Sequence, residues 1–226
     1  MARYAQKPAD RGSQKWLQVA VEVQAACLME PLAAAVGEKP ADIEWLSPLR
    51  EDQFAEYRDQ AFVDRLGIDL PHRPLEDFWP SGGPQWDGLA RTIGGQVILI
   101  EAKAHIPEMA SPATAASSGS RSLVEASLQE TRRHLGVGSE TDWTRVLYQH
   151  NNRLAHLYLL RELNQLPAWL VFVNFVGDEE RGGPATAEEW IGASRLAKAI
   201  LGWPSRHRLM RHVIDLNVEV SGLAAG

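Results

Sequence analysis

Cysteine is almost missing from this chain: Cys27 is the single one in 226 residues. That excludes a disulfide framework and a cysteine-based zinc site. A basic excess is missing too, with 23 Lys and Arg against 29 Asp and Glu and a net charge of -6 at pH 7. Proteins that coat nucleic acid nonspecifically usually carry such an excess, so any basic patch here must be local. No apolar run approaches membrane-spanning length, and the opening "MARYAQKPADRGSQK" has no apolar signal core. The expectation is a cytoplasmic protein with no membrane contact. Neither HExxH nor GxSxG occurs, and His150 and His156 are not one helical turn apart at i, i+4. Zinc-protease and serine-hydrolase chemistry therefore lack support. No internal repeat is visible.

What is present suits one sizeable core. The chain is 45% hydrophobic with eight Trp, and a single domain over 1–226 is the default at this length. Residues 1–12 read as a loose polar arm. Helical spacing of Trp16, Val19, Ala20, Val23, Cys27 and Leu32 predicts a helix over 14–36, with Pro31 as its kink. A second helix is predicted from Glu51 to Leu66, stopped by Gly67. A hairpin follows, with strands over 84–92 and 96–104 around Gly94-Gly95. Residues 107–120 form a small-residue, turn-prone stretch that is long for a passive connection. Helices are predicted over 122–135, from the capping box Ser122-x-x-Glu125, and over 142–163, from Asp142. A buried strand over 169–177, a helix from Thr186 to Gly202 and a strand over 212–220 complete the chain. Helices, a hairpin, more helices and then strands indicate an α/β domain with a mixed sheet.

The hairpin reads "WDGLARTIGGQVILIEAKAH" from Trp86 to His105. Side chains alternate along a strand, so Glu101 and Lys103 share a face with Val97 and Leu99, while Ile98, Ile100 and Ala102 line the other. The strand is apolar on both faces until its end, where one face becomes charged. That pattern fits a central strand running out into a cleft. A two-residue loop at Gly94-Gly95 would put Asp87 opposite Ala102. A three-residue loop, Ile93-Gly94-Gly95, pairs Asp87 with Glu101 instead. Two carboxylates directly across a ladder repel. A divalent cation between them removes the conflict, and oxygen-only ligands favour Mg²⁺ or Mn²⁺ over zinc. Lys103 beside such an ion can orient water and stabilise charge on a phosphate.

Asp87 on one hairpin strand, followed by Glu101-Ala102-Lys103 on the next, resembles the PD-(D/E)XK nuclease superfamily. Trp86 stands where the family name has proline. The resemblance implies a restriction-endonuclease-like αβββαβ core, with a mixed central sheet flanked by helices, over roughly 50–176. Residues 184–226 then add a C-terminal helix and strand. It also implies Mg²⁺-dependent hydrolysis of nucleic acid, DNA ahead of RNA, with Mn²⁺ as a substitute. Asp87 and Glu101 would be the metal ligands and Lys103 the catalytic lysine.

Further candidates surround this motif. The superfamily often takes a third acid from the helix before the hairpin, and Glu56 and Glu22 both qualify, with Glu56 nearer in sequence. Gln149, Asn152, Arg153 and His156 fall at i, i+3, i+4 and i+7 on a helix that then becomes apolar on nearly every side through Leu157, Leu159, Leu160 and Leu163. Polar groups on a buried helix need partners, and carboxylates or a phosphate would serve. Gln149 and Arg153 match by position and type the residues this superfamily sends toward its site from that helix. His105 and Glu108 lie just past Lys103 and are candidates to support a ligand. Arg206, Arg208 and Arg211 form a local basic cluster, which is a candidate for phosphate contact. The competing expectation is a nuclease-fold protein that no longer cleaves and acts as a binding or assembly module. No separate recognition domain is visible, so substrate selection falls to loops, a homodimer or a partner protein.

Overall fold

The computed structural model describes residues 3–223, so the ends of the 1–12 arm and of the 184–226 unit lie outside it. The architecture is α/β. One five-stranded sheet has the order β2 (Ile43–Ser47), β4 (Gly88–Thr92), β5 (Val97–Lys103), β6 (Ala168–Val176) and β7 (Val213–Glu219). The pairs β2–β4 and β4–β5 are antiparallel, whereas β5–β6 and β6–β7 are parallel. β5 is thus the strand where the sheet changes sense. Strands β2 and β7 both lie outside 50–176, so the sheet is wider than the core expected from the sequence.

The alternation of β5 separates two cores. Val97 and Leu99 pack with Leu170 and Phe172 against α3 (Gln60–Leu66), α4 (Ser118–Leu135) and α5 (Tyr148–Tyr158). Ile98, Ile100 and Ala102 pack on the other side against α1 (Gly12–Glu22) and α2 (Ala26–Val36). With both faces covered, β5 reads as the near-continuous apolar run that a central strand requires.

The single helix expected over 14–36 is two. It breaks at Val23–Ala25, where Gln24 has φ +46°, and the halves meet at 84°. Pro31 lies inside α2 and is not the break. The bend lets Leu17 and Val21 of α1 and Leu28 and Leu32 of α2 bury in the same core. No single helix among the described residues is long and apolar enough to cross a membrane.

The predicted helix over 51–66 survives only as α3. Gln53 and Phe54 have left-handed φ values of +56° and +48°, and Glu56–Tyr57 form a short strand, β3. β3 pairs antiparallel with β1 (Arg3–Tyr4), so the start of the arm is held rather than loose. Arg3 also forms an ion pair with Asp52 at 2.7 Å. This long-range pairing overrides the local helical pattern, and Glu56 therefore sits on a strand. Gly67 does close α3.

Two other helix starts move. α4 begins at Ser118, with Ser117 as its N-cap residue, so Ser122 lies inside the helix. α5 begins at Tyr148, after Leu147 at φ +47°. Asp142 instead closes a local turn, accepting from the Thr144 N–H at 2.8 Å and the Thr144 hydroxyl at 2.7 Å. After Tyr158 the helix continues as one π turn, Leu159–Leu163. α6 (Ala187–Leu201) begins after Thr186 and ends at Gly202, as its sequence signals indicate.

Candidate active site

The site grows out of the β4–β5 hairpin. Its loop has three residues: the Thr92 N–H donates to Gln96 O at 2.8 Å, and Gly95 takes φ +85°. The ladder runs from Arg91↔Val97 to Gly88↔Ile100. Asp87, one residue further, thus comes alongside Glu101 at the open end of the ladder. Gly88 fits closely there: a Cβ would sit 3.3 Å from both Ile100 Cβ and the Ser47 carbonyl oxygen, so a larger residue makes its neighbours give by a few tenths of an ångström beside Asp87.

A cleft of about 890 Å³ opens at this end of the sheet. Asp87, Glu101, Lys103, Glu56, Gln149 and Arg153 all line it, as does Asn152. Much of its remaining wall comes from two loops, 80–85 and 110–117, with no charged residue in either, and Glu108 and Tyr148 also line it. Glu101 is 2% exposed and Lys103 7% exposed, so both charges are held inside protein rather than displayed on a surface.

The charges are tightly connected. Lys103 Nζ donates to Glu101 Oε1, and Arg153 Nε and Nη2 both lie 2.6 Å from Glu101 Oε2. Arg153 also donates to Asn152 Oδ1 at 2.9 Å and to the Gln85 carbonyl at 2.7 Å. Its guanidinium lies 4.9 Å from the ring centre of Trp86. Asp87 Oδ2 accepts from the Ala102 N–H at 2.7 Å, and Asp87 has no other side-chain hydrogen bond among the described residues.

These contacts split the two carboxylates. Burial, then the negative charges of Glu101 and Glu56, push the Asp87 carboxyl well above its ordinary range despite Lys103. Burial also opposes ionisation of Glu101, but the adjacent Arg153 and Lys103 overcome it and hold its carboxyl low. Lys103 resists the desolvation that would lower its pKa, because Glu101 and Asp87 hold it charged and shift it upward. Asp87 is therefore the carboxylate short of positive charge.

Glu22, His105 and His156 are not among the cleft-lining residues, whereas Glu108 is. Glu22 pairs with Arg50 at the surface. His156, the last member of the α5 stripe, is core: its ring lies 4.9 Å from that of Trp79 and 6.0 Å from that of Trp86. Its Nδ1 is 2.7 Å from the Asn152 carbonyl oxygen, and burial lowers its pKa to about 3. Glu108 caps the strand end, accepting from the Ala104 N–H at 3.0 Å, and His105 lies 2.7 Å from it. Arg208 is paired with Glu162, and Arg206, Arg208 and Arg211 are not among the cleft-lining residues.

The sequence reading missed Gln85. It stands two residues before Asp87, and that alternation was the available signal. Its carbonyl holds Arg153 and its amide holds Glu56. Gln6 and Gln14, which also hold Glu56, gave no local signal.

Comparison with protein-family models, curated proteins and solved structures finds no match. The site is therefore read from its own geometry.

Proposed function

We propose that this chain is a Mg²⁺-dependent phosphodiesterase acting on nucleic acid, DNA ahead of RNA, built on a restriction-endonuclease-like core. One observation carries the reading: Asp87, Glu101 and Lys103, from adjacent strands, line one cleft at the end of β5. Ligands of open α/β sheets bind outside the carboxyl ends of the strands. β5 is where the sheet turns from antiparallel to parallel, and Glu101 and Lys103 are at its carboxyl end.

The donor set fits a hard divalent cation. It offers oxygen only, and one oxygen of Asp87 accepts no hydrogen bond from the described residues. Among the described residues no three His, Cys, Asp or Glu side chains form a closed cage, so a cation here would rest on Asp87 and Glu101 and complete its shell from water and substrate. Both oxygens of Glu101 are engaged, so one must be released for it to ligate. Lys103 is the partner that yields, because Arg153 is pinned by Asn152, Gln85 and Trp86. Once released, the Lys103 ammonium would be available to stabilise charge developing on a phosphate in the cleft. When bound, the cation supplies Lewis-acid polarisation of the phosphate and acidifies its water. Arg153 keeps Glu101 ionised and aimed throughout.

The second reading is a nuclease-fold binding module. Its support is the same double engagement of Glu101, which neutralises the site internally. One experiment separates the two: cleavage of single-stranded, duplex and branched DNA and of RNA with Mg²⁺ or Mn²⁺, alongside calorimetric Mn²⁺ titration. Cleavage that disappears in Asp87→Asn is the expected result. Mn²⁺ binding without cleavage establishes the module, and absence of both removes the metal-site reading.

A further inference from the structure

Surface exposure does not explain how Glu56 is held. It is 8% exposed, yet its carboxylate has no ion pair among the described residues. Three neutral amides hold it. Gln14 Nε2, from the first turn of α1, donates to Oε1 at 3.0 Å. Gln6 Nε2, from the arm, donates to Oε2 at 3.3 Å, and Gln85 Nε2 donates to the same oxygen. A carboxylate offers about four lone-pair positions, so one acceptor direction is left, on a side chain that lines the cleft.

The backbone around Glu56 is bent into uncommon conformations on both sides. Gln53 and Phe54 precede it at positive φ, and Asp59 follows at φ +52° and ψ -147°, a combination that suits glycine. Asp59 in turn accepts from the Gly82 N–H at 3.1 Å and the Gly83 N–H at 2.8 Å, tying β3 to the cleft loop 80–85. β1 pairs along β3, with Tyr4 opposite Glu56, and the Gln6 N–H donates to Gln53 O at 2.9 Å. The arm, α1 and the cleft loop thus converge on one acidic side chain that leans on no cation.

We infer that Glu56 accepts a hydrogen bond from the attacking water, and that the N-terminal arm aims it: Gln6 and Gln14 are positioning residues of the site. This rests on the hydrolase reading above. Neutral amides suit that role, since they fix the carboxylate while leaving its negative charge available for a water O–H. A paired cation would spend that charge.

The test compares wild type, Glu56→Gln and the double variant Gln6→Ala/Gln14→Ala in steady-state hydrolysis with Mn²⁺. Mn²⁺ affinity is measured by calorimetry, and the folded fraction is checked by circular dichroism at the assay temperature. The double variant should lose about 10–100-fold in kcat, the usual cost of removing groups that orient a metal site's participants. KM and Mn²⁺ affinity should stay unchanged while the protein remains folded. Glu56→Gln should lose at least as much kcat with the same unchanged affinity. A merely structural cradle would lower the folded fraction and leave kcat per folded molecule intact, which overturns the inference. Mn²⁺ affinity falling in step with turnover in Glu56→Gln overturns it too, by making Glu56 a ligand. A wild type that neither binds Mn²⁺ nor cleaves brings down the hydrolase reading itself, and this inference with it.

Discussion

Arg153 spends its guanidinium on protein: Glu101, Asn152 and Gln85 accept from it, and Trp86 lies against its face. Removing it strands the Glu101 charge in a site with little water. Arg153→Ala is expected to cost roughly 3–5 kcal/mol in urea denaturation, the range for breaking one side of a buried ion pair. Arg153→Lys should recover only part of that, because an ammonium cannot span three acceptors in one plane. Lys103 behaves differently, since Arg153 still neutralises Glu101 when it is gone. Lys103→Met, which keeps the aliphatic stem, should preserve the fold by circular dichroism and lower hydrolysis by about 10²-fold or more. If Lys103→Met unfolds the protein and activity follows the folded fraction, the pair is structural.

At the scale of elements, the hairpin sets the distance between the two carboxylates and α5 covers them. Gly88→Ala must push against Ser47 O and Ile100, so it should destabilise by about 1–3 kcal/mol, as overpacking does. It should also weaken Mn²⁺ binding more than a substitution in the exposed hairpin loop, because its neighbours give beside Asp87. α5 adds a pH dependence of stability. His150, stacked on Phe172 at 5.0 Å, and His156 are both buried, and their pKa values fall to about 4 and about 3 from 6.5. The unfolded chain binds protons at both histidines below pH 6.5 while the folded chain does not. Their contribution to stability is therefore complete above pH 6.5 and is lost as pH falls toward 4 and then 3. Each histidine should add a slope approaching about 1.4 kcal/mol per pH unit in that window. Urea midpoints for wild type and His156→Phe between pH 7 and 5 measure it, with the shallower slope expected for the variant.

For the whole molecule, the cleft joins parts distant in sequence: the arm, β3, the hairpin and α5. A cation that binds only this assembled form stabilises all of it by mass action, about 2.7 kcal/mol at a hundredfold excess over its Kd. Thermal melts with Mn²⁺ should shift upward for wild type and not for Asp87→Asn. An equal shift in both places the ion elsewhere.

The sequence alone determined whatever depended on neighbours along the chain. The alternation in Val97–Lys103 separated the two faces of β5, the glycines Gly94-Gly95 placed the hairpin turn while the fold chose its three-residue loop and register, and Thr186 and Gly202 marked the ends of α6. Asp87, Glu101 and Lys103 were legible for that reason, because one hairpin carries them all. Tertiary structure alone decided where contacts between remote segments outweighed local preference. Pairing of Arg3–Tyr4 with Glu56–Tyr57 replaced a helical turn by a strand, and packing on the sheet bent the helix at Gln24 rather than at Pro31. Within one polar stripe of α5, burial against Trp79 and Trp86 sent His156 to the core, while Arg153 met Glu101 in the cleft. The amides of Gln6 and Gln14 have no mark in the sequence, because a glutamine's pattern is the same whether it meets water or a carboxylate 50 or 42 residues away; only the folded chain brings Glu56 to them.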